Sequence, residues 1–158
     1  MNCKCDSLFK DFKWRPLNSI SLNKIQPETR VYAIRYDKKG LDIDQTILKT
    51  RDFFGQAQWE SVNSYIFNRL NRLKSIQDCP IIYIGSAPSI KAGGLKSRYK
   101  DLSGRRHTVF YPVLALLIAG WALQWGILPT KGPKAIEKEI VRKYNEIHGA
   151  NPALLKRV

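Results

Sequence analysis

From Thr108 to Thr130 the chain reads TVFYPVLALLIAGWALQWGILPT, without one charged residue. A run of that length is long enough to span a bilayer. It is interrupted, however, by Pro112, Gly120, Gln124, Gly126 and Pro129, and its densest part, Val113–Ala119, is short. A buried helix over Pro112–Ala119, followed by a central strand over Trp121–Leu128, accounts for the same residues without a membrane. A membrane-associated basic protein using this stretch is therefore kept as a rival reading, and no membrane partner is expected.

Other elements frame that pair. Val31–Tyr36 has the β-branched and aromatic mix of a strand, and Ile81–Ile84 reads as another. Between them, Trp59, Val62, Ile66, Leu70 and Leu73 recur at steps of three and four, which predicts a helix over Gln56–Ser75. Residues 41–55 are ambiguous. A further helix is predicted from about Gly94 to Leu102. Pro133 suits the first turn of a last helix, Lys134–His148, and Gly149 suits its stop. Residues 1–30 read as an irregular N-terminal arm, and residues 31–158 as one domain with a helical insertion at about 41–80. Three strands with several helices and no βαβ regularity predict an α+β fold with a small, mainly antiparallel three-stranded sheet.

The chain has 158 residues, enough for one domain with a core. Its 27 Lys and Arg against 13 Asp and Glu leave a net charge of +14, which points to a polyanion, and above all to nucleic acid. Cys3, Cys5 and Cys79 form no paired framework, which argues against a disulfide-stapled domain. Cys3 and Cys5 offer two thiolates, but zinc normally takes four ligands, and His107 and His148 lie far off in sequence. A structural zinc is therefore not expected. No signal peptide is visible, and a cytoplasmic, DNA-associated protein is the expectation.

No nucleophile–base pair stands out, and SAPSIKAGG lacks the spacing of a phosphate-binding P-loop. The residues left for chemistry are Tyr32, Tyr83, Gly85, Arg98 and Glu137. Singly, each has a structural explanation: packing for a strand tyrosine, solvent for a helix arginine, the helix dipole for Glu137. Together they make a pattern: Val31-Tyr32, then Tyr83-Ile84-Gly85, then Leu95-Lys96-Ser97-Arg98, then Ala135-Ile136-Glu137 opening the last helix, and Asn151 beyond it. In that order the chain resembles the GIY-YIG nuclease superfamily, over roughly Arg30 to Asn151.

The resemblance implies a metal-dependent endonuclease that hydrolyses phosphodiester bonds in double-stranded DNA. It could be restriction-type or a structure-selective nicking enzyme. Glu137 would hold one Mg2+ or Mn2+, Tyr32 would help activate water, and Tyr83 would order the water or the phosphate. Arg98 would grip the phosphate, Gly85 would let the backbone turn, and Asn151 would add a polar contact. Arg30 stands where the family has a glycine and is a possible extra phosphate contact. Leu102 stands where the family often has a His or Tyr, which puts the water-activating relay in question.

Outside that pattern, Asn68 and Arg72 on the inserted helix are residue types able to read base edges. Lys96, Lys100, Arg105 and Arg106 suit phosphates without sequence information. Cutting both strands with one site per chain calls for a homodimer or for sequential nicks by a monomer. A catalytically inactive nucleic-acid-binding protein with the same fold is the alternative.

Overall fold

The computed structural model describes residues 3–19, 24–26, 28–76, 79–91, 93–103 and 109–155. Its elements, in order, are β1 (Lys13–Pro16), β2 (Arg30–Lys38), α1 (Ile43–Phe54), α2 (Gln56–Ser75), β3 (Ile81–Ala87), α3 (Gly94–Ser103), α4 (Phe110–Ile118), β4 (Ala122–Pro129) and α5 (Pro133–His148). The fold is α+β, as expected. The sheet has four strands rather than three, in the order β1-β4-β2-β3, with every pairing antiparallel.

The extra strand comes from the segment read as an irregular arm. Lys-Trp-Arg-Pro has no apolar alternation and ends in proline, so no strand signal exists there. Its one large apolar group explains its place. Trp14 pairs with Gly126 of β4, and a Cβ on Gly126 would come within 2.7 Å of the indole. The Arg35 guanidinium also lies over the indole, 4.1 Å from the ring centroid. Phe9, Phe12 and Leu17 from the same segment are buried in the core. Residues 13–17 thus belong to the domain's sheet and core.

The uncharged run resolves into α4 and β4, with β4 interior to the sheet between β1 and β2. Among the described residues no helix is long and apolar enough to cross a membrane. The turn between α4 and β4 is locked to the turn after β2. Leu41 N donates to Ala119 O at 3.0 Å, and Trp121 Nε1 donates to Leu41 O at 2.9 Å. The ambiguous 41–55 segment is mostly α1, started by Asp42, whose side chain accepts from Gln45 N. Thr46 and Thr50 are fully buried there, and their hydroxyls donate to Leu41 O and Thr46 O. This explains why a hydrophobicity pattern misses the helix: its buried face is partly threonine.

Helix α2 spans the residues its periodicity predicts and buries Val62, Ile66 and Leu70. Helix α5 packs on β3 and β2 with Ile140, Val141 and Tyr144 buried. Although β3 is an edge strand, the main chain at its start is covered. Tyr144 Oη donates to Ile81 O at 3.3 Å, and Leu154 N donates to Ile82 O at 2.9 Å.

Candidate active site

Strand register assembles the tyrosines. Tyr32 on β2 pairs with Gly85 on β3, and Ile34 pairs with Tyr83. A strand repeats every two residues, so Tyr32, Tyr83 and Gly85 share one face of the sheet. The Tyr32 and Tyr83 rings lie 5.9 Å apart. Gly85 is required by this packing: a Cβ there would sit 2.8 Å from Tyr32 Oη and 2.9 Å from Tyr83 Cε1. The glycine therefore leaves room for two phenols, which is more specific than freedom to turn.

The row continues sideways. Tyr32 stacks on Trp125 of β4 at 5.0 Å, and Trp125 meets Tyr99 of α3 at 4.7 Å. Tyr99 Oη donates to Leu17 O at 2.9 Å, and Leu95 N donates to Glu28 O at 2.8 Å, so both the middle and the start of α3 are fastened. On that helix Arg98 is exposed. On the other flank, Glu137 lies in the second turn of α5, and Ser86, one residue past Gly85, donates its hydroxyl to the Glu137 carboxylate.

The electrostatics tie these groups into one site. Tyr32 is 2% exposed and Tyr83 is 9% exposed. Burial pushes both phenol pKa values up, Tyr32 well above the ordinary value of 10. The two hydroxyls are hydrogen-bonded in a way that opposes ionisation of Tyr32 and favours that of Tyr83. Glu137 raises both phenols further, whereas the Arg98 cation lowers both. Arg98 on α3 and Glu137 on α5 thus both act on the two phenols of β2 and β3. Serine 86 joins them, and no local motif singles it out.

Alkaline stability reads out the buried phenols. Above about pH 10 the unfolded chain releases protons that the native phenols still hold, so unfolding is increasingly favoured as pH rises. The stabilisation is full below about pH 10 and is lost toward the raised native values, at about 1.4 kcal/mol per pH unit for each phenol held protonated. Urea unfolding at pH 9, 10 and 11 checks this, and Tyr32→Phe is expected to flatten the slope by one phenol's share.

The nucleic-acid candidates divide. Asn68 and Arg72 of α2 line a groove of about 700 Å³ with Arg69, Asn145 and Asn151. Asn145 Nδ2 donates to Asn151 Oδ1 at 3.1 Å. Asn151 therefore sits about two helical turns along α5 from Glu137, beside Asn68 and Arg72 instead of the tyrosines. Arg69 and Arg72 each donate from Nη1 to the main chain, to Leu154 O at 3.0 Å and Leu155 O at 2.8 Å. They pin the segment after α5 while lining the groove. Arg30 is ion-paired with Glu28 and donates to Thr29 O, so reaching a phosphate would mean leaving Glu28. Lys96 is half-buried and Lys100 exposed, both on α3 with Arg98. Arg105, Arg106 and His107 lie outside the described residues, and Leu102 falls in the last turn of α3.

A second cluster lies at the other end of α5. Cys3, Cys5, Cys79 and His148 present ligand atoms all within 4.8 Å of one another, and together they can hold a metal ion. Cys79, hydrogen-bonded by Cys5 and by Tyr144, has its thiol pKa lowered to about 6, whereas Cys5 is raised. The long sequence separation of His148 from the cysteines does not keep it away from them in space.

The chain matches no family model, no curated protein and no solved structure.

Proposed function

We propose that the chain is a metal-dependent DNA endonuclease, hydrolysing phosphodiester bonds at the Tyr32, Tyr83, Arg98 and Glu137 site. The observation that carries this reading is that Tyr32 and Tyr83 meet over Gly85, that the adjacent Ser86 bonds Glu137, and that the charges of Arg98 and Glu137 both act on the two phenols. One cation and one carboxylate flanking two phenols are the groups a phosphodiester hydrolase needs around a scissile phosphate. A charge of +14 supplies the attraction to DNA.

The division of labour follows from the positions. Arg98, exposed and carried on a fastened helix, donates in a planar fork to the phosphate and offsets the charge growing on it. Hydrolysis adds a water oxygen to phosphorus, breaks one phosphorus–oxygen ester bond and returns a proton to the leaving oxygen. Tyr83, the less deeply buried phenol, would orient that water through its neutral hydroxyl, since burial holds its pKa up. Tyr32, the more deeply buried, keeps its proton and holds Tyr83. The Glu137 carboxylate and the Ser86 hydroxyl are hard oxygen donors of the kind Mg2+ and Mn2+ take alongside water and phosphate oxygens. When bound, such a cation would supply Lewis-acid polarisation of the phosphate. The groove lined by Asn68, Arg72 and Asn151 would take the DNA beyond the cleaved bond.

The test is supercoiled plasmid incubated with the protein and Mg2+ or Mn2+, beside EDTA. Metal-dependent nicked or linear product is expected, and Arg98→Ala is expected to lose about 10²-fold or more in rate. Activity within twofold would remove the assigned role of Arg98. One observation favours a second reading, a DNA-binding protein without the reaction: both phenols are buried and pushed toward the neutral form. Binding without cleavage in either metal would establish it.

A further inference from the structure

We propose that Cys3, Cys5, Cys79 and His148 form a closed, structural Zn2+ site that fastens the segment leading into β1 to the core. The cluster is separate from the candidate active site. His148 ends α5, eleven residues beyond Glu137, roughly 16 Å along the helix. The proposal stands whether or not the chain cuts DNA.

Geometry is the first support. Cys3 Sγ lies 3.2 Å from Cys5 Sγ and 3.4 Å from His148 Nε2, and Cys5 Sγ lies 3.5 Å from Cys79 Sγ. With zinc–sulfur bonds of about 2.3 Å, a tetrahedral site has sulfur–sulfur edges of about 3.8 Å. The three short edges therefore need to open by about 0.6 Å or less, and the other three, none above 4.8 Å, to close by about 1 Å at most, to surround one ion. The ligand set is three thiolates and one imidazole, a recurrent composition of structural zinc sites. All three cysteines are free thiols. A closed four-ligand shell leaves no position for substrate, and Cys5 and Cys79 are buried, so a structural role follows.

The surroundings are the second support. The ligands come from three elements that no continuous piece of chain holds together: the turn before β1, the residue pair ahead of β3, and the end of α5. The loop holding Cys3 and Cys5 is already shaped, with Asp6 N donating to Cys3 O, Leu8 N to Cys5 O, and Cys3 N to the Asp6 carboxylate. Tyr144 acts behind the ligands. Its hydroxyl shares its one proton between Cys79 Sγ at 3.2 Å and Ile81 O at 3.3 Å, and its ring lies 4.4 Å from the His148 ring. Such outer contacts orient ligands and stabilise charge on a thiolate. With three thiolate ligands the occupied site carries a net charge of −1, inside a strongly basic chain, and the thiol protons still held go to solvent on binding.

The consequence is mechanical. The metal would tie residues 3–5 to β3 and α5, and so hold Trp14 on Gly126, and Leu17 under Tyr99, in place. The experiment uses the full chain, reduced and stripped with a chelator, then titrated with Co2+ and with Zn2+. One Co2+ per chain is expected, with the intense ligand-field bands of tetrahedral cobalt and a sulfur-to-cobalt charge-transfer band, bleached by one equivalent of Zn2+. Free Zn2+ at a hundredfold excess over its Kd is expected to raise Tm by roughly 5–10 °C. Cys3→Ser, at the half-exposed ligand, is expected to keep the fold and weaken the charge-transfer band, and His148→Gln to weaken metal affinity at least tenfold. Octahedral weak-field bands, no stoichiometric binding by the reduced wild-type chain, a disulfide among the three cysteines in freshly purified protein, or iron in place of zinc in that protein would each overturn the assignment.

Discussion

Glu137→Gln is expected to lower metal-dependent plasmid cleavage by about 10³-fold or more while DNA binding is kept or tightened. The carboxamide has the same shape and still accepts the Ser86 hydroxyl, so α5 stays seated on β3. What changes is the charge. Two opposite consequences follow, and this makes the variant decisive. Removing the anion takes away one cause that raises the Tyr32 and Tyr83 pKa values, so both phenols become easier to ionise. If the phenols alone drove the reaction, the variant would be faster. If Glu137 holds the cation, the variant is inactive however its tyrosines titrate. Binding should not suffer, since a carboxylate facing phosphate is repulsive. Gel-shift affinity measured beside cleavage at one salt concentration separates the two effects. Retained cleavage would mean that Glu137 does not hold the catalytic cation.

Gly40→Ala is expected to cost about 3 kcal/mol or more of stability, lowering Tm by roughly 6–12 °C. A Cβ at Gly40 would lie 2.1 Å from Ala119 O, 2.6 Å from Gly120 C and 2.7 Å from Trp121 N. All three are main-chain atoms, so no side chain can swing away. Nor can either backbone easily retreat, because Leu41 N donates to Ala119 O, while Leu41 O accepts from both Trp121 Nε1 and Thr46 Oγ1. Yet Gly40 is exposed, so by burial alone it would pass as a free surface position. Gly132→Ala is the control. Gly132 is left-handed at φ 71° and ψ 51° with open space around its missing Cβ, so only conformational strain of about 1–2 kcal/mol is expected there. Urea unfolding of both variants checks the difference. Equal losses would mean that the 40–41 and 119–121 turns are not held against each other.

The parts of the fold legible in the sequence are those written in local patterns. The α2 stripe and the Pro133 and Gly149 boundary signals needed no tertiary information, and the structure places those helices where the patterns do. The uncharged run told of a buried helix and a central strand, because Gly120 breaks it between α4 and β4. Helix α1 was obscured by Thr46 and Thr50 on its buried side, and β1 by its charged and proline residues. At the site, Tyr32, Tyr83, Arg98 and Glu137 were singled out from short motifs, and the structure puts them within electrostatic reach of one another. Ser86 and the Trp125–Tyr99 pair were not, since a lone serine or aromatic after a strand carries no signal. Asn151 was noted by its distance from Glu137 along the chain, and its hydrogen bond from Asn145 is a contact that spacing does not show.

By itself the sequence determined the net charge, the uncharged character of residues 108–130, and the helices whose apolar stripes repeat within a turn or two. Those properties depend on neighbours three or four residues away, and the chain carries them without knowing its partners. Only the tertiary structure decided that Gly85 lies under two phenols, that Glu137 meets Ser86, and that Cys3, Cys5, Cys79 and His148 face one point. Those meetings follow from strand order and register and from the packing of α5 on β3, which bring together residues separated by as many as 145 positions. Spacing along one dimension cannot encode them, because a one-residue slip in register would point every side chain of a strand to the opposite face.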